Sequence, residues 1–287
     1  MNQVQSLRIS IIIPVYNEAA QLAACLTAIA RQTVKPFEVI VVDNNSTDDS
    51  AAIAARFPFV RVMTERRQGV VHARTTGFDA ARGDIIARID ADSLLPTEWL
   101  ATVQQIMSEP TIAAVSGTAQ YYNVAAARLF NTIDLFFRRR LARQLGNRVF
   151  LYGANMALQR SAWQAVRARL CQRGGQHEDY DIAIHLQELG ERVVFDERLT
   201  AKISSRRIDV NFISFMRYVL VAPNTYAQHH IRARWHMYSL VALCAIGYLP
   251  ARVLHRGYDP LGQHFSWLQL FSARSTAPRV DPTAYVA

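Results

Sequence analysis

The fold is decided by the stretch from Ile9 to Glu18, which reads ISIIIPVYNE. Its first seven residues form a continuous, largely β-branched run, typical of a strand buried on both faces of a parallel sheet. Apolar residues then recur at intervals of three and four, which predicts an amphipathic helix directly after the strand. The residues on the apolar face of that helix are Leu22, Cys25, Leu26 and Ile29.

The alternation of strand and helix continues through the first third of the chain. Further strands are predicted at residues 37–42, 60–64 and 84–89, with a short helix ending at Ile53 and a longer one over residues 70–81. Strands that alternate with helices of this length indicate parallel β-α-β units. We therefore predict an α/β fold: a Rossmann-like, open, mostly parallel sheet with helices on both faces.

The composition is that of a globular protein with an uneven charge. Of 287 residues, 51% are hydrophobic and 19% are charged, which excludes a disordered chain and a multi-span membrane protein. The net charge is −1 over residues 1–100, +3 over residues 101–200 and +7 over residues 201–287. Because opposite charges attract, the basic end predicts an anionic partner, which we expect to be a phospholipid surface or a phosphorylated acceptor and not a nucleic acid.

Cysteine usage and the N-terminus bear on the compartment. Cys25, Cys171 and Cys244 are far apart and form no C-x-x-C pair, which argues against a disulfide scaffold and a four-cysteine zinc site. The apolar run at residues 9–15 is too short for a signal peptide and lacks a small-residue cleavage site. We expect a cytoplasmic protein.

Polar side chains follow three of the predicted strands. Tyr16 and Glu18 follow the first strand, Asp43 ends the second, and Asp90 and Asp92 follow the fourth. In open α/β sheets, ligands bind outside the carboxyl ends of the strands, so these side chains predict a site at one edge. Two carboxylates one residue apart suit Mg²⁺ or Mn²⁺, ions whose shells are completed by substrate phosphates. Neither a G-x-G-x-x-G nor a P-loop motif occurs, which argues against dinucleotide redox and P-loop chemistry.

With these residues in view, the chain resembles the family-2 inverting glycosyltransferases of the GT-A fold. The resemblance extends over about residues 8–200 and depends on several modest motifs in the family's order. The motifs are IIPVYNE at residues 12–18, VVDNNSTD at 41–48, AR at 73–74, IDAD at 89–92, GANMA at 153–157 and EDYDI at 178–182.

The resemblance implies a nucleotide-sugar donor, specifically a UDP-sugar, and an acceptor hydroxyl on a glycan or lipid-linked molecule. It implies that Asp43 binds the donor's base, that Tyr16 lines the base pocket, and that Arg74 lies near the base or the diphosphate. Asp92 would ligate Mg²⁺ or Mn²⁺, while Asp90 would hold the ribose or bind the ion through water. The other residues assigned to the donor site are Pro14, Glu18, Asn45 and Asn155.

The acidic motif supplies the candidate general base, which an inverting transfer needs to deprotonate the acceptor. The family pattern favours Asp179, with Glu178 as the second candidate. Both are predicted in the first turn of a helix, where the helix dipole favours carboxylates, so simple charge complementarity is the alternative.

The sequence departs from the family pattern at two places. Residues 201–207 contain no histidine, although many relatives carry one after the acidic helix as a metal ligand. Processive synthases carry Gln-x-x-Arg-Trp, but Ile231 occupies the glutamine position before Arg234 and Trp235. The second difference predicts transfer of a single sugar.

The C-terminal region is apolar and basic. Residues 235–251 carry no formal charge, and as a helix they would span about 26 Å, less than the roughly 30 Å of a bilayer core. A membrane span, an interfacial helix on the inner face of the cell membrane, and a packing helix are the alternatives. A second basic stretch at residues 138–140 follows several phenylalanines and allows the same attachment. The predicted organisation is a GT-A domain at 1–210 (nucleotide-binding half 1–115, acceptor half 116–210), a basic helical extension at 211–272 and a tail at 273–287.

Two alternative functions follow from the same residues. A sugar-1-phosphate nucleotidyltransferase has a similar nucleotide-binding sheet, but it is expected to carry a glycine-rich, arginine-containing loop after the first strand, which this chain lacks. A non-catalytic nucleotide-sugar-binding, membrane-associated protein is the other alternative, although the carboxylates needed for chemistry are all present. The preferred interpretation is an enzyme of cell-envelope polysaccharide biosynthesis.

Overall fold

The chain was examined in a computed structural model that describes residues 7–122, 124, 127–144, 148–171, 176–231, 234–259 and 264–268. Within this part of the chain, seven strands form one sheet in the order β3-β2-β1-β4-β6-β5-β7. The strands are β1 (Ile9–Val15), β2 (Glu38–Asp43), β3 (Val60–Thr64), β4 (Ile85–Ile89), β5 (Ile112–Tyr121), β6 (Asn155–Gln159) and β7 (Arg192–Ile203).

Helices connect these strands and continue beyond them. The helices of the first two thirds of the chain are α1 (Ala19–Ala30), α2 (Ser50–Ala55), α3 (Val70–Ala80), α4 (Trp99–Met107), α5 (Ala127–Gln144), α6 (Arg160–Val166) and α7 (Glu178–Glu188). A 3₁₀ turn (Arg206–Asp209), α8 (Phe212–Gln228), α9 (Arg234–Arg256) and a hairpin of β8 (Tyr258–Asp259) with β9 (His264–Phe265) follow.

The sheet is mostly parallel, as predicted. Strands β1 to β4 run parallel to one another where they pair, whereas β6 is antiparallel to both β4 and β5. The β1–β2 ladder extends to Val15 and Asp43, but the β1–β4 ladder stops at Ile12 and Arg88. Strand order also reverses between β1 and β4, which is where open α/β sheets form their ligand crevice. Pro14 lies past the last β4 pair, so its missing N–H removes no bond of that ladder.

The core consists of two apolar layers, one on each face of the sheet. Alternate residues of β1 point to opposite faces, so Ile11 and Ile13 contact the layer beside α1 and α4, while Ile12 contacts the layer beside α3, α6 and α7. The predicted apolar face of α1 is confirmed, because all four of its residues are fully buried. The predicted bounds of β1 and β3 are confirmed, and the bounds of β2, β4 and α3 differ from those predicted by one residue.

The chain forms two compact units, which are described separately. The first unit comprises residues 1–119, 149–172 and 178–202, and the second comprises residues 120–148, 173–177 and 203–287. The domain boundaries predicted from the sequence stay a prediction, and the predicted tail at 273–287 lies outside the described residues.

Helices α8 and α9 pack against each other in the second unit, which confirms a helical C-terminal part. The ring of Tyr248 lies 4.9 Å from that of Phe215, and its hydroxyl donates to the carbonyl of Val210. His255 is buried between the Ser205 hydroxyl and the Asp209 carboxylate, each 2.8 Å from one ring nitrogen. Burial alone would raise the pKa of Asp209, but the bonds from His255 and Arg256 lower that pKa overall.

The opposite face of α9 is apolar and exposed. Tyr238, Leu243, Ile246 and Leu249 fall on one side of the helix, and Ile246 is 76% exposed. Among the described residues, Met237–Arg256 is the one helical segment long and apolar enough to cross a membrane, judged by length and composition.

Candidate active site

The loops after β1 and β2 are fastened to each other at the crevice. Asn17 adopts a left-handed conformation (φ 53°), and its side-chain carbonyl accepts the Thr47 backbone N–H at 2.8 Å. The backbone N–H of Glu18 donates to the Ser50 hydroxyl, also at 2.8 Å. These bonds fix the chain immediately after Tyr16, which is half-buried directly after β1.

Two asparagines after β2 hold the loop that precedes α3. The side-chain carbonyl of Asn44 accepts the Gly69 N–H at 2.7 Å, and the side-chain amide of Asn45 donates to the carbonyl of Arg66 at 2.7 Å. Asp43, the last residue of β2, is buried and accepts the Ser46 N–H at 3.3 Å. These hydrogen bonds fix the loops around Asp43, where the base pocket is predicted. Asn45, assigned to the donor site, contacts this loop.

Three carboxylates lie close enough to the buried thiol of Cys25 on α1 to act on it electrostatically. Burial raises the pKa of Cys25, and the negative charges of Asp92, Asp90 and Glu18 raise it further. Asp92 and Glu18 are buried, whereas the Asp90 side chain is 30% exposed. Because these residues follow β1 and β4, the structure brings the predicted metal carboxylates and Glu18 to one end of the crevice.

A buried ion pair connects the end of β4 to the start of α7. Arg88 is the fourth residue of β4, and one of its terminal nitrogens donates to Glu178 at 2.7 Å. Its other terminal nitrogen lies 3.5 Å from Asp90. Arg88 and Glu178 are both nearly inaccessible to solvent, so the pair is desolvated and each charge requires the other.

Asp179 lies beside this pair in the first turn of α7. Its carboxylate accepts the Gly153 N–H at 2.7 Å. Burial, followed by repulsion from the Glu178 charge, raises the pKa of Asp179 to about 7, although Arg88 and the Gly153 N–H act in the opposite direction. A carboxyl that titrates near neutral pH has the property required of a general base.

Gly153 explains why this packing is possible. A Cβ at position 153 would overlap the guanidinium of Arg88. A side chain there would separate the Arg88 ion pair from the backbone N–H that holds Asp179. The glycine of the GANMA motif therefore permits the close approach of Arg88 and Asp179.

Two residues assigned to donor binding, Asn155 and Arg74, have side chains buried inside the protein. Asn155 is fully buried, donates to the carbonyls of Thr118 and Leu199, and accepts from the indole N–H of Trp99. Since both amide hydrogens and the oxygen are in use, Asn155 holds strands and α4 together, and we do not carry it into the donor site.

Arg74 on α3 is also buried, with its guanidinium 5.2 Å from the ring of Trp163. Burial lowers the pKa of Arg74 to about 10, with the charge of Glu178 opposing that shift. Within the described residues, its Nε and one terminal nitrogen have no hydrogen-bond partner. The side chain adds positive charge behind the acidic motif, and its predicted contact with the base or diphosphate stays a prediction.

His177 precedes the acidic motif and belongs to the second unit. Its backbone N–H donates to the Thr225 hydroxyl, and its ring packs edge-on against Tyr218. These contacts fit a structural histidine.

Sequence reasoning missed Arg88, although the sequence contains a signal for it. An arginine stands alone among the apolar residues of IIARI, inside a predicted strand of the parallel sheet. Because a buried charge is costly without a partner, such a residue predicts an acidic partner elsewhere in the chain. The identity of that partner, 90 residues away, required the structure.

With this geometry established, comparison with known proteins identifies the family. Residues 10–167, more than half of the chain, match the family described as Glycosyl transferase family 2. The chain belongs to glycosyltransferase family 2.

Individual relatives agree with this assignment. The chain is 30% identical over 161 residues, which is 51% of this chain and 48% of the relative, to the undecaprenyl-phosphate 4-deoxy-4-formamido-L-arabinose transferase of Serratia proteamaculans. The chain spans about half or less of the length of the curated relatives it matches.

Two solved structures share the fold. One is a mannosyltransferase from Pyrobaculum calidifontis in complex with GDP-Man and Mn²⁺ (TM-score 0.61, 22% identity, 86% of this chain and 73% of that chain). The other is the glucosyl-3-phosphoglycerate synthase of Mycobacterium tuberculosis with Mn²⁺, UDP and glucosyl-3-phosphoglycerate (TM-score 0.54, 20% identity, 74% of this chain and 78% of that chain). Both similarities support the GT-A architecture predicted from the sequence.

Proposed function

We propose that this chain is an inverting glycosyltransferase that moves one sugar from a UDP-sugar to a hydroxyl of a glycan or lipid-linked acceptor. The observation that carries the proposal is the position of Arg88. Its guanidinium contacts Glu178 of the predicted base motif and lies 3.5 Å from Asp90 of the predicted metal motif. One guanidinium therefore contacts both motifs, although the motifs are far apart in sequence.

The donor would enter the crevice between β1 and β4. In this proposal Asp43 accepts from the N–H edge of the base, and Tyr16 and Pro14 line the base pocket. The hydrogen bond from Asn45 to Arg66 holds the loop against which the nucleotide would lie. A solved structure of similar fold contains UDP, whereas another contains GDP-Man, so both nucleotides belong in the test.

The residues present fit a divalent cation. Asp92 and Asp90 offer hard carboxylate oxygens at the end of β4, and Asp92 is buried where a bound ion would offset its charge. Asp92 would hold Mg²⁺ or Mn²⁺ directly, with Asp90 beside it or on the ribose. When bound, such an ion neutralises charge on the departing nucleoside diphosphate.

The proposed base is Asp179, and the ion pair explains the preference over its neighbour. Glu178 is held by Arg88 at 2.7 Å, so its negative charge is already compensated inside the protein. Asp179 is oriented by a neutral backbone N–H of Gly153. A carboxylate held in this way keeps more of its basicity toward an acceptor proton than one bonded to a guanidinium.

Whether the reaction needs a general base depends on the chemistry of the acceptor. A hydroxyl must lose its proton during transfer, whereas a phosphate oxygen is already largely ionised near pH 7. The named relative acts on undecaprenyl phosphate, so a phosphate acceptor is the competing possibility. A strong dependence of turnover on Asp179 would favour the hydroxyl.

We further propose that α9 lies on an anionic membrane surface. One face of α9 packs in the second unit through Tyr248 and His255, while Ile246 and Leu249 are exposed on the other. A helix with one polar packed face and one apolar exposed face fits an interfacial helix better than a membrane span. The net charge of +7 over residues 201–287 would add attraction to anionic lipid.

The decisive experiment is a screen of UDP- and GDP-sugars with Mn²⁺ or Mg²⁺ that measures nucleoside diphosphate release. We expect release from a UDP-sugar and, once the acceptor is known, a product of inverted anomeric configuration by NMR. Family membership argues against the nucleotidyltransferase alternative. A protein that binds a nucleotide sugar without turnover under any condition would favour the non-catalytic alternative.

Asp92→Asn tests the metal assignment in the same assay. Turnover should fall below detection, and metal-dependent UDP binding should weaken, while the fold is retained by circular dichroism. The matched control is Asp84→Asn, which removes an acid at the opposite end of β4, where Asp84 pairs with Arg8. Activity of Asp92→Asn equal to that of Asp84→Asn would contradict the metal assignment.

A further inference from the structure

Beside α7, a thiol, an imidazole and a carboxylate converge at a place that the proposed transfer does not use. Cys171 lies in the segment before α7, and Asp181 and His185 are one helical turn apart on α7. The Cys171 Sγ is 4.0 Å from the His185 Nε2, and that nitrogen is 3.4 Å from an oxygen of Asp181. The three side chains therefore present one ligand atom each to a common point.

We propose that Cys171, Asp181 and His185 bind a Zn²⁺ ion. In a tetrahedral zinc site with Zn–S of about 2.3 Å and Zn–N or Zn–O of about 2.0–2.1 Å, neighbouring ligand atoms lie about 3.3–3.6 Å apart. The Sγ–Nε2 distance of 4.0 Å and the distance of 3.4 Å from Nε2 to the Asp181 oxygen are within about half an ångström of that range. A thiolate with imidazole and carboxylate selects zinc over Mg²⁺ or Mn²⁺, which prefer all-oxygen sites.

A carboxylate that contacts the proposed histidine ligand supports the zinc assignment. The other ring nitrogen of His185, Nδ1, lies 3.0 Å from a carboxylate oxygen of Glu188. Zinc-ligating histidines commonly donate this second N–H to a carboxylate, which fixes the tautomer with a lone pair on Nε2. That lone pair would face the Asp181 carboxylate, a repulsive arrangement that a cation between them would turn into an attractive one.

The carboxylate ligand is oriented as well. The second oxygen of Asp181 accepts the backbone N–H of Cys171 at 2.9 Å, which brings the thiol-bearing residue onto the same side of α7. Asp181 is buried, so its charge has little compensation from water. A zinc ion here would fasten the segment before α7 to the helix whose first turn carries Glu178 and Asp179.

The test is Co²⁺ titration of the full, tag-free chain after chelator treatment, because cobalt bound to a thiolate absorbs in the near ultraviolet. We expect a charge-transfer band that saturates at about one ion per chain and disappears when Zn²⁺ is added. A band from cobalt at Asp90 and Asp92 would require the Cys25 thiol and would persist in Cys171→Ser, so the two sites are distinguished without any activity assay.

Cysteine variants identify the thiolate that gives the charge-transfer band. Cys171→Ser should abolish it, whereas Cys244→Ser, which removes a thiol of α9, should leave it unchanged. Glu188→Gln keeps every proposed ligand and should weaken cobalt affinity about 10–100-fold, the usual effect of losing an outer carboxylate. Absence of the band in the wild type, or its persistence in Cys171→Ser, would overturn the proposal and leave His185 as a ring held between the Asp181 and Glu188 carboxylates.

Discussion

The two units differ in which side chains they bury. The first unit encloses charged groups in its core: the Arg88–Glu178 pair, Arg74 and Asp179 are all almost inaccessible to solvent. The second unit instead exposes large apolar groups on its helices, with Ile246 and Leu249 more than half exposed. Both arrangements cost stability in an isolated chain, since buried charges lose hydration and exposed apolar groups order water.

Under the proposed function, this difference separates a catalytic region from a membrane-contacting region. Buried charges with fixed partners are suited to chemistry, because carboxylates kept away from water can be held in defined protonation states. An exposed apolar helix face with basic residues nearby is suited to a surface that is apolar and anionic, such as a membrane. The predictions below test these two halves of the comparison.

The largest effect is expected from Asp179→Asn in the first unit. An asparagine cannot accept the acceptor proton, so kcat should fall about 10²–10⁴-fold, the usual loss for a general base. Donor affinity, measured by calorimetry with the nucleotide, should change little because the base acts on the acceptor. A kcat close to wild type would point to a phosphate acceptor or to Glu178 as the base.

Two further variants distinguish loss of the general base from loss of donor binding. Glu178→Gln should lower kcat less than Asp179→Asn, because Glu178 is held by Arg88. Asp43→Ala should raise the donor KM more than it lowers kcat, because the nucleotide base loses its acceptor.

Arg88→Met tests the buried charges through stability. Removing one partner of a buried ion pair leaves an uncompensated charge and should cost about 3–5 kcal/mol in the free energy of unfolding, measured in urea. The double variant Arg88→Met/Glu178→Leu should recover much of that loss, because an apolar pair leaves no charge buried.

The matched control is Arg167→Met, which removes a guanidinium 3.0 Å from Asp79, in a pair whose side chains are both exposed. Exposed pairs contribute about 1 kcal/mol or less, so this variant should stay near wild type. Equal losses in Arg88→Met and Arg167→Met would remove the distinction between buried and exposed charges in the first unit.

The first strand, the first helix and the acids at the strand ends could be predicted from the sequence. The run at residues 9–15 and the helical face of α1 follow from local periodicity, and both were confirmed. The carboxyl-end placement of Asp43, Asp90 and Asp92 followed from the alternation of strands and helices, because parallel strands end at the same edge.

Other features depend on contacts between distant segments. The antiparallel direction of β6 is not encoded in its own five residues, of which only the middle three are apolar. Asn155 lies in a glycosyltransferase motif, yet its amide bonds to Thr118 and Leu199 on other strands. Arg88 and Glu178 are 90 residues apart, so the pair emerges only when β4 and α7 are brought together.

A smaller effect is expected from the exposed face of the second unit. Ile246→Ser/Leu249→Ser should weaken cosedimentation with phosphatidylglycerol vesicles. Losing lipid burial of each side chain costs about 1.5 kcal/mol or more, so the double variant should lose roughly a hundredfold in affinity. Binding should also fall as salt rises, because the electrostatic part is screened.

Phe59→Ser is the matched control, because it removes an exposed apolar side chain from the first unit. Binding of Phe59→Ser should equal that of the wild type. Vesicle binding that is insensitive to the α9 substitutions, or equal on neutral and anionic vesicles, would contradict the interfacial assignment.

The smallest effect is a pH dependence of stability in the first unit, centred on Glu65. Bonds from Arg67 and Thr76, which outweigh the opposing effect of burial, lower the pKa of Glu65 to about 2. Since the folded pKa lies below the unfolded value of about 4.3, this carboxylate stabilises the fold above that value, and the contribution is lost as pH falls toward 2. Glu65→Gln should therefore reduce the free energy of unfolding near pH 7, and the gap to wild type should close between about pH 4 and pH 2. Urea unfolding at several pH values measures that gap, with Asp209→Asn as the parallel case in the second unit. A gap that stays constant over this range would mean that the Glu65 charge does not contribute.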